Sequence, residues 1–224
     1  MIKKYKLPHC IFGFLCAMIM VVPAWAQPYI EEIAAFKKQD SIATPPKNAI
    51  LFVGSSSFRM WTTVKQDFPM QSIINRGFGG SSLPDVIRYA DQIIFPYEPG
   101  QIIIYCGEND LASSDTITSQ IVSERFQQLF NLIRKQLPGV PVAFVSIKPS
   151  PSRQHLLQKV IAANELIKNF LKTQTKAAFI DVFSVMIDKQ GNPMPDLFIE
   201  DRLHMNMKGY GIWRRIIEPY LIKN

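Results

Sequence analysis

Five apolar runs set the framework of this chain, at 49–53, 72–75, 101–106, 141–147 and 177–183. They are rich in Val, Ile and Phe and scarcely alternate with polar residues, which is the pattern of strands buried on both faces. Between them, apolar positions recur at helical spacing near 57–67, 84–94, 117–136 and 153–173, with a last such stretch near 208–221. Ahead of the first run, Ile30, Ile33, Ala34 and Phe36 are separated by charged residues over 29–40. That spacing predicts one more helix, ended by Thr44-Pro45-Pro46-Lys47-Asn48.

Strands and helices in alternation imply a parallel sheet whose right-handed crossovers place helices on both faces. Five such strands predict an α/β three-layer sandwich with the flavodoxin-like order 2-1-3-4-5. The chain carries no internal repeat and no low-complexity tract. In a sheet of this kind, ligands bind beyond the carboxyl ends of the strands. Motifs that follow a strand are therefore the ones to weigh for chemistry.

The first 26 residues stand apart from this pattern. Lys3, Lys4 and Lys6 make a basic start, Ile11 to Val22 is almost wholly apolar, and Ala24-Trp25-Ala26 is a small-x-small cleavage site. This reads as a secretory signal peptide cut before Gln27, leaving 27–224 as one domain in the periplasm or outside the cell. An uncleaved anchor is the rival, but the apolar run falls short of the about 20 residues a span needs. Cys16 follows the bulky Phe14-Leu15, which argues against lipid attachment. Removing three lysines from the 25 basic residues leaves 22 against 18 acidic ones, a net charge of +4 on the mature chain. The basic residues are scattered, so nucleic acid is not an expected partner, nor is a membrane once the signal is cleaved. Cys10 and Cys16 leave with the signal, so Cys106 alone remains and no internal disulfide can form. Within Ile102-Ile103-Ile104-Tyr105-Cys106 it reads as a small buried residue.

Four polar blocks fall at the strand ends. Gly54-Ser55-Ser56-Ser57 follows the first strand at a strand-to-helix turn. Its serines either cap the helix or use the turn's free N–H groups for an anion or a developing oxyanion. Asn75-Arg76-Gly77-Phe78-Gly79-Gly80-Ser81-Ser82 follows the second strand and suits a tight turn or a loop close to a ligand. Gly107-Glu108-Asn109-Asp110 follows the third; it either starts a helix or presents the Asn109 amide as an oxyanion donor. Asp201-Arg202-Leu203-His204 comes near the C-terminus, where an acid three residues ahead of a histidine can fix its tautomer. The mature chain has one other histidine, His155, in Ser152-Arg153-Gln154-His155 with no acid beside it. His204 is therefore the preferred base.

Taken together, these blocks resemble the SGNH or GDSL hydrolases over residues 49 to about 220. The resemblance implies that Ser56 is the nucleophile, because it keeps the family register where Ser55 and Ser57 do not. It implies that Ser56, Gly80 and Asn109 form the oxyanion hole and that Asp201 supports His204. Ser55 stands where the family has Asp, so the hydrogen bonding beside Ser56 must differ. No cofactor is expected, and the sequence offers no clustered His/Cys metal set.

The expected function is that of an exported serine esterase acting on short acyl esters, acetyl above all, on a small molecule or a carbohydrate. The absence of a large lid insertion and the resemblance to acetylhydrolase-like members point that way. A lysophospholipase or thioesterase is the alternative within enzymes. A flavodoxin-like module holding a phosphate or flavin on its glycine loops is the alternative outside them; it leaves Asp201 and His204 idle.

Overall fold

The strand that carries the first polar block, Ile50–Gly54 (β1), is buried along its whole length. The computed structural model of the protein describes residues 29–223. The signal-peptide expectation at 1–26, with Cys10 and Cys16, lies outside the described residues. In chain order, helix α1 (Ile30–Ile42) precedes β1, and two short helices follow it, α2 (Ser56–Arg59) and α3 (Val64–Asp67). Next come β2 (Ile73–Gly77), α4 (Leu83–Ile93), β3 (Gln101–Tyr105), α5 (Glu108–Ser113) and α6 (Ser119–Gln136). The last elements are β4 (Val142–Val145), α7 (Leu157–Lys172), β5 (Ala177–Ile180) and α8 (Met207–Ile217).

The five strands are all parallel and lie in the expected flavodoxin-like order β2-β1-β3-β4-β5. Alternate side chains of each strand enter two separate apolar layers. Leu51, Val53, Ile102, Ile104 and Phe144 meet α1, α4, α6 and α7 on one face. Ile50, Phe52, Ile103, Tyr105 and Val145 meet Phe58, Trp61, Phe68 and Trp213 on the other. The three-layer sandwich follows from this division, since neither face can be left to water.

Several expected boundaries shift, and for three of them the change is instructive. The single helix foreseen at 57–67 is broken into α2 and α3. Trp61 Nε1 and Thr63 Oγ1 both donate to Asp67 Oδ2, at 2.6 and 2.7 Å, and fold the intervening residues into a turn. The run at 141–147 outlasts its strand. Ser146 Oγ accepts the Val182 and Phe183 N–H groups at 3.0 Å, and the Asn164 amide takes both the N–H and the carbonyl of Ile147. Side chains replace the ladder there, so an apolar sequence continues without a strand. Finally, the stretch at 153–173 starts as a 3-10 turn, Pro151–Leu156, before α7 begins.

Candidate active site

At the end of β1 the chain turns sharply at Gly54, whose φ is +139°. A Cβ there would lie 1.9 Å from the Tyr105 carbonyl oxygen, so only glycine lets β1 and β3 stay paired up to the turn. Ser55 N–H donates to that same carbonyl at 3.0 Å, and its side chain is buried. Ser56 opens α2 and is half-buried, so its hydroxyl stands at the upper edge of the sheet.

His204 comes from the loop ahead of α8. Asn206 shapes this loop: its Oδ1 accepts the Lys208 and Gly209 N–H groups, while its Nδ2 donates to the carbonyls of Asp196 and Phe198. Ile199 N–H also donates to the His204 carbonyl at 2.9 Å. Asp201 Oδ1 accepts the backbone N–H of Leu203 and of His204, at 2.8 and 2.9 Å, and Oδ2 lies 2.5 Å from His204 Nδ1. His204 Nε2 lies 2.9 Å from Ser56 Oγ. A carboxylate can only accept, so Nδ1 carries the shared proton and the Nε2 lone pair faces the serine hydroxyl. Burial acts to raise the Asp201 carboxyl, but the His204 ring and the two backbone N–H groups outweigh it and hold it below the usual carboxylate range.

The glycine loop is fixed from three sides. Asn75 Nδ2 donates to the Phe58 carbonyl at 2.7 Å and its Oδ1 accepts Gly77 N–H at 2.9 Å, locking the loop to α2. Glu32 of α1 accepts Gly79 N–H on both carboxylate oxygens at 3.1 Å and pairs with Arg59 at 2.9 Å. Ser81 Oγ reaches the Gly54 carbonyl at 3.1 Å, and Ser81 O accepts Asn109 Nδ2 at 3.1 Å. Ser81 thus joins Asn109, the exposed Gly80 and the strand end that carries Ser56. Asp110 is fully buried; it accepts Leu83 N–H at the start of α4 and pairs with Arg125 at 2.7 Å.

A serine, a histidine and an acid in one hydrogen-bonded line, beside a loop and an amide with N–H groups to offer, can perform acyl transfer. The defining pattern of the GDSL-like Lipase/Acylhydrolase family matches residues 40–212. The chain belongs to this family. It is an enzyme that hydrolyses esters. Solved structures of similar fold include one from Streptococcus pneumonia provisionally named a platelet activating factor, with TM-score 0.75, 19% identity and coverage of 86% of this chain and 92% of that one. A GDSL-like lipase from Bacteroides thetaiotaomicron VPI-5482 gives a TM-score of 0.71 at 18% identity, over 84% of this chain and 96% of that one. A variant of an acetyl-xylooligosaccharide esterase from Geobacillus Stearmophilus gives 0.63 at 13% identity, over 77% and 94%. Comparison with curated proteins gives no match.

In this GDSL hydrolase the expected residues Ser56, His204 and Asp201 are brought together, and Gly80 and Asn109 are tied to the same strand end through Ser81. His155 is not among them; it is exposed on the 3-10 turn before α7. Among the described residues, no group of three or more His, Cys, Asp and Glu is placed to hold a metal ion. A groove of about 440 Å³ runs alongside, lined by Met60, Trp61, Ile199, Met205 and Tyr210 among others, and neither Ser56 nor His204 lines it.

Sequence reasoning missed two groups of site residues. The first is Glu32, because nothing in a surface helix pattern shows that one of its acids reaches a distant loop. The second lies beneath Asn109. Glu108 is buried; its Oε2 accepts from Lys148 Nζ at 2.5 Å and from Tyr105 OH at 2.8 Å, and its Oε1 accepts from Ser150 Oγ at 2.5 Å. Arg153 Nη1 lies 3.7 Å from Oε1, and Arg153 Nη2 donates to Asn109 Oδ1 at 2.9 Å. Burial acts to raise the Glu108 carboxyl, but Lys148 and Arg153 outweigh it and hold it below its ordinary value. Burial pulls the Lys148 ammonium down, against Glu108 and Asp201. The available signal was a lysine directly after a buried strand, at Ser146-Ile147-Lys148.

Proposed function

We propose that this hydrolase is an exported serine esterase that cleaves short acyl esters, acetyl in particular, on small molecules or carbohydrate. Ser56 Oγ attacks the ester carbonyl while His204 Nε2 takes its proton, and Asp201 orients and balances the imidazolium. The backbone N–H groups of Ser56 and Gly80 and the Asn109 amide hold the oxyanion. Collapse of the tetrahedral intermediate expels the alcohol, which receives the proton from His204. Water then attacks the acyl-enzyme with His204 again as base, releasing the acid and restoring Ser56. The observation that carries this reading is the 2.9 Å approach of His204 Nε2 to Ser56 Oγ with Asp201 on the opposite nitrogen.

The preference for a short acyl group rests on openness. The Asp201 side chain is 42% exposed, Ser56 is half-buried and Gly80 is exposed, so the site is a shallow surface feature. The same substrate class is named for the Geobacillus Stearmophilus enzyme of like fold. One observation favours a longer acyl group, as in a lysophospholipase or thioesterase: the groove beside the site has Met60, Trp61 and Ile199 in its walls. A series of p-nitrophenyl esters of increasing acyl length, run beside acetylated xylooligosaccharides, decides between them. Acetate is expected to be turned over fastest; a kcat/KM that climbs with acyl length would assign the longer substrate. Export rests on the basic start, the apolar run and Ala24-Trp25-Ala26. Cell fractionation with N-terminal sequencing of the mature protein tests it, Gln27 being the expected first residue.

A further inference from the structure

The Asn109 carboxamide has three hydrogen-bonding positions besides the one needed for an oxyanion. Oδ1 accepts from Arg153 Nη2 at 2.9 Å, and Nδ2 gives one hydrogen to Ser81 O at 3.1 Å. Turning the amide over would set its oxygen against the Ser81 carbonyl and its NH₂ against the guanidinium, two mismatched pairs. Only one orientation is therefore satisfied, and it leaves a single Nδ2 hydrogen to offer. Asn109 sits second in a six-residue helix, where its own backbone does little to hold a side chain.

Arg153 is itself held in place. It occupies the non-helical kink of the 3-10 turn, with φ −118°, and its side chain is only 19% exposed. Beneath it lies the buried carboxylate of Glu108, which already has Lys148 as its direct counter-ion. Glu108 thus sits between two cations, one of which, Arg153, also reaches Asn109. The same turn also reaches the base: Ser152 N–H and Oγ both lie 3.0 Å from the Arg202 carbonyl, between Asp201 and His204. Residues 150–153 thus bridge the histidine loop and the Asn109 helix.

We propose that Arg153 is a positioning residue of this esterase: it fixes the Asn109 carboxamide in its donating orientation and polarises it from the carbonyl end. A cation on the amide oxygen draws density from the nitrogen and makes the free N–H a stronger donor to developing negative charge. Its planar fork spans the Asn109 oxygen and the Glu108 side at once, which a lysine ammonium cannot do. This inference rests on the reading that Asn109 donates to the oxyanion.

The test is a double-mutant cycle read in kcat and KM with p-nitrophenyl acetate, with thermal unfolding recorded for every variant. Arg153→Ala is expected to lower kcat by about 10–10² with KM little changed, because misplacing a group acting in the transition state costs on that order. Arg153→Lys is expected to fall between Arg153→Ala and the wild type. Asn109→Ala alone is expected to lose about 10²–10³. Adding Arg153→Ala to Asn109→Ala should then cost nothing further, since the residue it positions is gone. Multiplying losses would overturn the proposal, because Arg153 would then act independently of Asn109. A normal kcat in Arg153→Ala beside a crippled Asn109→Ala would overturn it while leaving the oxyanion assignment standing. A normal kcat in Asn109→Ala beside an inactive Ser56→Ala would remove the assignment and the proposal with it. Should Arg153→Ala fail to fold, Arg153→Lys and Arg153→Gln take its place in the cycle.

Discussion

Replacing Lys148 by Met removes the counter-ion of a carboxylate that has almost no access to water. The side chains of Lys148 and Glu108 are 1% and 6% exposed, and the ammonium also donates to Ser150 Oγ at 2.9 Å. Methionine keeps the length of the stem, so the loss is chiefly electrostatic. Breaking a buried pair by removing one partner costs about 3–5 kcal/mol. Arg153 stays 3.7 Å from Glu108 and Tyr105 OH still donates to it, which places the expectation at the low end, about 3 kcal/mol. For a domain of this size each kcal/mol moves Tm by about 2–4 °C, so a fall of roughly 6–12 °C is expected at neutral pH.

The pH dependence gives a sharper reading than the size. In the wild type the Glu108 carboxyl lies below its ordinary value. Its contribution is therefore present above the unfolded pKa of about 4.3 and is lost as pH falls through the folded one. Burial lowers the Lys148 ammonium, and the Glu108 carboxylate beside it opposes that. Without Lys148, burial of the Glu108 carboxyl is opposed chiefly by Arg153 and Ser150, so its folded pKa moves up from the wild-type position. The variant's Glu108 therefore contributes less stability than the wild type's above the unfolded pKa of about 4.3, and the difference shrinks as falling pH protonates the carboxyl. The gap in Tm between the two proteins should narrow from pH 7 to pH 4, measured by scanning calorimetry. An equal Tm at pH 7, or a gap of the same size at both pH values, would refute the reasoning.

Other outcomes follow from the geometry. His204→Ala should abolish ester hydrolysis, Asp201→Asn should lower kcat by up to about 10⁴, and His155→Ala should leave both kcat and KM near the wild-type values. Steady-state kinetics on p-nitrophenyl acetate checks all three; an inactive His155→Ala beside an active His204→Ala would discard the catalytic role of the Asp201–His204 pair. Gly77→Ala should destabilise the fold by at least about 1–3 kcal/mol, because its Cβ would fall 2.4 Å from the Arg59 backbone nitrogen. Urea denaturation measures it, and an unchanged midpoint would contradict the close approach of β2 and α2.

The sheet was legible because both of its faces are covered, which makes most strand positions apolar, β1, β3 and β4 above all, and leaves Gly, Asn and Pro to mark the turns. Its parallel strands followed from the alternation of runs, and the blocks holding Ser56, Asp201 and His204 stood out because they fall at strand ends, the choice of Ser56 among three serines resting on the family register. What stayed hidden depends on contacts that cross the sequence. Glu32 reaches Gly79 from 47 residues away, and Arg153 reaches Asn109 across 44. The breaks near Met60 and after Val145 arise because side chains of Asp67, Ser146 and Asn164 take over hydrogen bonds that a longer helix or strand would have made. Periodicity counts apolar positions and does not register such substitutions.

The central claim is that Ser56, and not Ser55 or Ser57, carries the acyl group. Reaction of the intact protein with a fluorophosphonate, followed by peptide mapping in a mass spectrometer, addresses it directly. The account predicts one adduct, on the Ser56 hydroxyl, formed quickly in the wild type and lost in His204→Ala and Ser56→Ala. An adduct on Ser55 or Ser57, or a folded wild-type protein that takes no label, would contradict it.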